Sequence, residues 1–556
     1  MMISSHSNAL SNVRSSRAQE SAPQQRAENT AASPSEVADQ VQLSEGEVAP
    51  GMYREAIPGS YIVVADKAET ASLQSNPGLQ VEKVLGQAGD TTFLLVQTSE
   101  ANLASLEESF TEVMPNYQYS GNVFDDPIAS QAQVESTPSV RPRHLDIINI
   151  EPAWAVTKGS GAVTGITDGG VDLAHPELQD SLWKNPKEIA GNGVDDDGNG
   201  KIDDVNGWDF TDVDAVPGHE GSEHHTHVHG IAHARQGSSG ATGVAPEAQS
   251  MALRIDGGRK AYSSALVAEA YLYAMNQGAK AVNTSYNIDG FPGDRTIETA
   301  YRTLADNDVL VFNSAGNSGR LNPRRSAFED VVLVASTDTA ASSVDKRSSF
   351  SNYGVGIDIA SPGKDIQSTL PNGRVGALSG TSMASPGAMG LHALVQSAHP
   401  EWNREQRWAQ IFGTADNIDA KNPSEAGLFG GGRINAGRAL TEQLAAPTIS
   451  VKESKNPNGG TTKLTVRFDK ILSGKSANTA EAWQVLNDKG EVVMKGAPKE
   501  IRLLTNEFDI NVGSLPAGNY EFVASADILK DPFGQALDGD RDGKAGGNHV
   551  TRFEVK

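Results

Sequence analysis

At 556 residues, with 38% hydrophobic and 21% charged side chains, the chain reads as a globular protein of roughly three to four domains. Its 70 Asp and Glu outweigh 46 Lys and Arg, a net charge of −24 that repels nucleic acid, and no apolar run approaches the ~20 residues that span a bilayer. Cysteine is absent, which excludes disulfide staples, a thiol nucleophile and thiolate zinc sites and leaves durability to packing or bound ions.

Residues 1–50 are rich in Ser, Ala, Gln and Glu with almost no aromatics. They cannot bury enough apolar surface to offset their ordering entropy, so disorder is expected. The opening MMISSHSNALSNVRSSRAQES also lacks the apolar core of a secretory signal. Ordered structure is expected from near Gly59. YIVVAD (61–66), TFLLVQT (92–98) and a stretch around VMPNYQY (113–119) read as strands, and EANLASLEESF (100–110) as a helix. Together they predict a small α/β unit at 51–121, with a linker at 122–140.

From 141 to 444 short apolar runs alternate with longer helical stretches. The runs are AVTGIT (162–167), SMALRI (250–255), KAVNTS (280–285), VLVFNSA (309–315) and VVLVAS (331–336). Such runs, buried on both faces, predict an α/β fold with a mainly parallel sheet and helices on either side. After Ala446 the segments TKLTVRFD, EFDINV, NYEFVASA and TRFEVK, separated by Gly, Asn and Pro turns, predict a β-sandwich at 446–556.

Three segments carry chemistry. GITDGGVDLAHPEL (165–178) places Asp168 just after a buried strand, EHHTHVHGIAHA (223–234) opens a helix with His224, and LSGTSMASP (378–386) puts Ser382 at a turn into an Ala-rich helix. A serine hydroxyl needs an imidazole to take its proton, and the imidazole needs a carboxylate to fix its tautomer. The order Asp, His, Ser is a known arrangement, and a helix N-terminus beside Ser382 supplies dipole and donors where negative charge develops.

These segments resemble the subtilase family of serine peptidases. GTSMASP (380–386) matches the family's serine motif throughout, and GVAPEA (243–248), FSNYG (350–354), ASPGKDIQST (360–369) and GGGRINAGRAL (430–440) are similar too. The resemblance covers about 300 residues. It implies a monomeric serine endopeptidase that cuts proteins or peptides through Asp168, His224 and Ser382, with Asn317 of NSAGNSG as oxyanion donor. It places the substrate between Ser285-Tyr286-Asn287 and Ser314-Ala315-Gly316, bound by extended pairing. The 51–121 unit resembles an inhibitory propeptide, so a secreted proenzyme is expected, cut between Tyr119 and about Arg143. The C-terminal module resembles bacterial Ig-like domains.

Four departures from the family pattern define an alternative, a subtilase fold without catalysis that serves as a protein-binding scaffold. Gly169 stands where Ser or Thr is usual, and His225 and His229 replace small residues. Asn287 stands where a glycine is usual, and Gly387 where a histidine is. His225, His229 and His233 share one helical face, which reads as changed core packing rather than a metal site. Gly387 is expected to make room for one of these rings. His227 matches the family's second, structural histidine.

A calcium site is expected in NGVDDDGNGKIDDVNGWDF (192–210). Asp195, Asp197 and Asn199 alternate around Gly200, and Lys201 and Asp203 complete the candidate ligand set, although Asn206 falls where an EF-hand carries Glu. LDGDRDGK (537–544) offers a second cluster at Asp538, Asp540 and Asp542.

Overall fold

The computed structural model describes residues 47–74, 76, 78–110, 112–121, 141–218, 222–237, 240–256, 261–496 and 506–556. The expected disorder before residue 47 and the linker at 122–140 lie outside the described residues. Order begins earlier than Gly59. Strand β1 (Glu47–Ala49) pairs with the start of β2 (Met52–Asp66), and Ala49 and Met52 are fully buried. Burial against the body of the protein accounts for the difference: a Cβ on Gly290 would run into Val48 and Met52.

The unit continues through α1 (Lys67–Gln74), β3 (Leu79–Ala88), β4 (Thr91–Thr98), α2 (Glu100–Ser109) and β5 (Glu112–Gly121). Its antiparallel sheet runs β3-β4-β2-β5. One face buries Val63, Leu94, Val96 and Leu106 under its own helices, while Ile62, Phe93, Met114 and Tyr119 join the main core. This period-two division follows from side chains alternating across a strand.

The central domain opens with α3 (Arg143–Ile147) and α4 (Ile150–Trp154), then β6 (Val163–Asp168), β7 (Gly207–Asp209), α5 (Glu223–His233), β8 (Gln249–Arg254) and β9 (Ala261–Ser263). It continues with α6 (Ser264–Asn276), β10 (Ala281–Thr284), α7 (Arg295–Asp306), β11 (Leu310–Ser314), β12 (Val331–Thr337) and β13 (Ile359–Pro362). A hairpin of β14 (Ile366–Leu370) and β15 (Arg374–Leu378) precedes α8 (Thr381–Ala398), α9 (Arg404–Gly413) and α10 (Ala436–Thr441). The seven-stranded sheet is parallel throughout, in the order β13-β12-β11-β10-β6-β8-β7.

Its two faces support separate cores, as the sequence predicts. Val282, Val311, Val331 and Leu333 face α6 and α7, and Ala281, Leu310, Phe312, Val332 and Val334 face α5, α8 and α9. Caps fix where the helices start: Asp294 accepts from Thr296 and Ile297, and Asn403 with Gln406 forms a capping box on α9.

The unit before residue 122 docks on α6. Strand β5 pairs with β9 at its outer edge, and Asn116 Oδ1 accepts the amide of Ala265 in the first turn of α6. Gly86 of β3 lies so close to Leu272 that a Cβ there would come within 2.5 Å of it. Glu269 of α6 takes Lys83 on one oxygen and Lys201 on the other, each at 2.7 Å.

The C-terminal module stacks a three-stranded antiparallel sheet on a four-stranded one. The first contains β16 (Ile449–Lys455), β17 (Thr461–Phe468) and β20 (Glu507–Asn511). The second contains β18 (Trp483–Asn487), β19 (Val492–Lys495), β21 (Gly518–Ala524) and β22 (His549–Val555). Leu464, Val466, Trp483, Phe508 and Phe522 form the core between them.

Glu269 is the shared anion of a buried pair, and Lys201 is only 8% exposed. Removing one partner of such a pair strands the other charge. Glu269→Gln is therefore expected to lower stability by about 3–5 kcal/mol in urea unfolding. Lys83→Met, which removes a half-exposed partner, is expected to cost under about 1 kcal/mol.

Candidate active site

The carboxyl ends of β6, β10 and β11 and the amino end of α8 converge. In a parallel sheet these ends lie on one edge, where loops are free to carry chemistry. Asp168 ends β6 and is buried. Its Oδ2 lies 2.8 Å from Nδ1 of His224, in the first turn of α5, and its Oδ1 accepts the amide of Gly169 at 2.7 Å. Burial alone would raise the Asp168 carboxyl, but the adjacent His224 outweighs it and holds the group below the usual carboxylate range.

Ser382 is the second residue of α8. Its Oγ donates to the Ser285 carbonyl at 3.0 Å, and the Ser285 hydroxyl donates back to the Ser382 carbonyl at 3.0 Å. Asn317 accepts both the amide and the hydroxyl of Thr381 on Oδ1, each at 2.8 Å. That grip turns its amide nitrogen toward Gly380, where a Cβ would lie 3.4 Å from it. An imidazole held by a carboxylate, a hydroxyl at a helix N-terminus and a side-chain amide beside it are the parts of an acyl-transfer site.

Ser285, Tyr286 and Asn287 leave β10, and Ser314, Ala315 and Gly316 leave β11, so the two expected substrate segments emerge from neighbouring strands. Arg325, which sequence reasoning missed, pins both. Its guanidinium bonds to Asp289 at 2.9 Å, to the Ser314 carbonyl at 2.6 Å and to the Asn287 side chain. Burial would raise Asp289, but Arg325 more than offsets it and holds the carboxyl low. Asn287 is thereby tied into a buried ionic group.

The subtilase family matches residues 159–432. Thermitase of Thermoactinomyces vulgaris is 34% identical over 295 residues, covering 53% of this chain and 93% of the relative. The chain belongs to the subtilase family. Subtilisin BL of Lederbergia lenta is 33% identical over 284 residues, covering 50% of this chain and 90% of the relative. Alkaline protease of Alkalihalobacillus alcalophilus is 29% identical over 369 residues, 64% of this chain and 86% of the relative.

Within this subtilase the departures from the family motifs have definite places. A Cβ at Gly169 would make only ordinary contacts, at 3.6 Å from Ser222 and 3.9 Å from Asp256, so packing does not demand glycine there. His225, His229 and His233 form a fully buried row on α5, with ring centroids 6.4 and 6.1 Å apart. His225 Nδ1 accepts the amide of Gly170, His229 Nε2 meets Ser181, and His233 bridges Thr164 and the Ala245 carbonyl. His227 Nε2 lies 3.2 Å from the Gly376 carbonyl. The expectation that Gly387 makes room for one of these rings is corrected. A Cβ there would come within 2.9 Å of Ser361 Oγ, whereas the rings pack on the loops at 170 and 181 and on β6.

In the acidic loop, the residues brought together are not those the sequence pattern selects. Glu188, Asp197 and Asp204 converge, with oxygens within 4.8 Å of one another. Asp195 instead accepts the amides of Gly198, Asn199 and Gly200, and Asp203 those of Gly191, Asn192 and Gly193. Asn199 donates its side-chain amide to Asp204, and Lys201 extends its ammonium to Glu269. Only Asp197 belongs to both sets. In the C-terminal module Asp538, Asp540 and Asp542 do converge.

Burial holds the imidazoles of His144, His225 and His233 down at about 4 and that of His227 at about 3. Their folded values lie below the unfolded value, so the unfolded chain binds more protons as pH falls. Stability is full above about pH 6.5 and lost between there and about pH 4, at about 1.4 kcal/mol per imidazole per pH unit. Urea midpoints measured at pH 7, 5.5 and 4.5 are expected to drop steeply across that window.

Proposed function

We propose that this subtilase hydrolyses peptide bonds in proteins with Ser382 as nucleophile, His224 as general base and Asp168 as the group that orients His224. Family membership makes the chain a serine endopeptidase, and the observation that carries the residue assignment is the 2.8 Å contact between His224 Nδ1 and Asp168. That contact fixes the tautomer and leaves Nε2 to take the serine proton. The Ser382 hydroxyl turns from the Ser285 carbonyl to the imidazole as it attacks. Asn317, with the Ser382 amide, donates to the oxyanion, a contribution of about 3–4 kcal/mol to the transition state for a donor of this kind. The protonated imidazole gives its proton to the amine as the scissile C–N bond breaks, and water activated at the same imidazole then hydrolyses the acyl-enzyme and restores the Ser382 hydroxyl.

Residues 51–121 act as a propeptide, so the enzyme is made as a proenzyme. The pairing of β5 with β9 and the closeness of β3 to α6 support this reading. The enzyme is read as a secreted monomer working on proteins outside the cell. No helix among the described residues is long and apolar enough to cross a membrane.

A calcium ion fits the acidic loop. Glu188 Oε2 is buried with no hydrogen-bond partner among the described residues, and two further carboxylates converge on it. Burial raises Asp204, despite donors from Tyr273, Asn199 and Asn185, as expected for an anion awaiting a counter-charge. Glu188, Asp197 and Asp204 would hold the ion, which would tie the loop to α6 through Tyr273 and Gln277.

Ser382→Ala is expected to reduce casein hydrolysis by four orders of magnitude or more. It is also expected to abolish labelling by a fluorophosphonate and to leave the propeptide attached on a gel. Equal turnover by wild type and variant would reject the assignment. In the Ser382→Ala chain, chelation with EGTA is expected to lower Tm by about 5 °C, corresponding to about 2.7 kcal/mol at a hundredfold excess over Kd. Asp197→Asn should remove that response, and an unchanged Tm on chelation would end the calcium proposal.

A further inference from the structure

The last strand of the propeptide unit ends in a closed aromatic box. Tyr119 of β5 is fully buried. Its ring stacks on Tyr262 with centroids 5.5 Å apart and meets Phe291 edge-on at 4.9 Å. Its hydroxyl donates to Asp294 Oδ2 at 2.6 Å, and the Ser264 hydroxyl donates to the same oxygen. The other carboxylate oxygen is committed elsewhere, accepting the amides of Thr296 and Ile297 as the cap of α7. Asp294 therefore holds its helix with one oxygen and reads a phenol with the other.

The aromatic walls and the carboxylate belong to the enzyme body, whereas the occupant and Arg54 of β2, which reaches the Pro292 carbonyl and the Tyr119 hydroxyl, come from the propeptide. Tyr262 lies on β9, Ser264 opens α6, and Phe291 and Asp294 precede α7. The chain from Ser285 to Asp294 runs from the hydroxyl of Ser382 to the floor of the box. Strand β5 reaches it as an extended segment paired antiparallel with β9, Tyr119 opposite Tyr262. A substrate segment paired with β9 in the same way would present one of its side chains to the same box. Because Tyr119 lies on the amino-terminal side of the expected processing bond, that side chain lies on the amino-terminal side of the bond to be cut.

We propose that Tyr262, Ser264, Phe291 and Asp294 form a substrate subsite that selects tyrosine by its hydroxyl, at one position upstream of the scissile bond. The proposal deepens the protease reading and rests on it. The aromatic walls accept a phenylalanine equally well, so shape does not separate the two residues. The carboxylate does. A site built around a hydrogen bond to a substrate hydroxyl rejects the analogue that lacks it, because a buried acceptor is then left short of a partner. Ser264 remains as a second donor to Asp294, which limits the discrimination to about ten- to a hundredfold.

The test uses the mature enzyme and internally quenched peptides that carry Tyr or Phe at each position upstream of the cleaved bond in turn. The kcat/KM for Tyr is expected to exceed that for Phe by tenfold or more at one position and to match it elsewhere. Asp294→Asn, which keeps an oxygen for the helix cap but turns the other acceptor into a donor, should shrink that ratio at least threefold. Ser264→Ala, which removes the competing donor, should widen it. Equal cleavage of Tyr and Phe peptides at every position, by enzyme that labels with fluorophosphonate, overturns the subsite and leaves the protease reading standing. Absence of both label and cleavage overturns the protease reading, and the subsite with it. A second measurement works on the uncleaved Ser382→Ala chain. There the Tm loss caused by Tyr119→Phe is expected to vanish when Asp294 is also changed to Asn, and fully additive losses would overturn the hydroxyl contact.

Discussion

The geometry of this site depends on a carbonyl that a proline leaves without its helical donor. Pro386 lies inside α8, four residues after Ser382, and has no N–H to give to the Ser382 carbonyl. The Ser285 hydroxyl makes that bond instead, and the Ser382 hydroxyl returns one to the Ser285 carbonyl. Asn283 extends the link by donating to Ser285 Oγ and accepting from Ser385. All four residues are buried, where an unmade hydrogen bond costs most. The amino end of α8 is thus fastened to the end of β10, the strand that leads into Ser285–Asn287. Thr381, one residue earlier, binds Asn317 and the amide of Gly316. The proposed nucleophile, the proposed oxyanion donor and both substrate segments consequently share one rigid frame.

The histidine-rich helix belongs to the same frame. The loop after Asp168 is stitched to α5 twice, by Gly170 donating to His225 and by the Asp172 amide donating to Thr226. Those bonds hold Asp168 against His224 from behind. The bulky residues in the histidine motif therefore do structural work beside the proposed triad, His225 by accepting the Gly170 amide and His229 by meeting the Ser181 hydroxyl. Nδ1 of His225 can accept from Gly170 only while it carries no proton, which burial enforces. The row of imidazoles is a packing solution whose cost appears in acid.

Much of the architecture was legible because the signals were local. The apolar runs at 162–167, 280–285, 309–315 and 331–336 overlap strands covered on both faces, and GTSMASP carries the helix start, the serine and the proline together. What stayed illegible depends on partners far away in sequence. Nothing local to Arg325 points to its role, which appears only when Asp289 and Ser314 close around it. Asp294 caps α7 with one oxygen, while the use of its second oxygen appears only when Tyr119 arrives from 175 residues upstream. The acidic loop misled for a different reason. Asp195 spends its oxygens on the amides of its own turn, as short acidic side chains readily do, Asp203 closes the loop onto the amides of Gly191, Asn192 and Gly193, and Glu188 lay outside the pattern that drew attention to the loop.

As the proposed propeptide, the 51–121 unit would use one edge for folding and recognition in turn. Strand β9 is three residues long, and among the described residues its ladder partner is β5. Asn116 of β5 also satisfies an amide that every helix leaves open in its first turn, here that of Ala265. While the unit is attached, it completes a sheet edge and a helix terminus that the enzyme body cannot complete alone. Its proposed removal would open the same edge and the same box, already shaped around an extended segment with a tyrosine in it. A sheet of non-local parallel pairings folds slowly without such a template, and an unpaired edge is what an extended substrate needs. On the proposed reading, the contacts that help the enzyme form would then choose what it cuts. Asp294 makes the link physical, because it caps α7 with one oxygen and holds Tyr119 with the other, the oxygen proposed to meet the substrate.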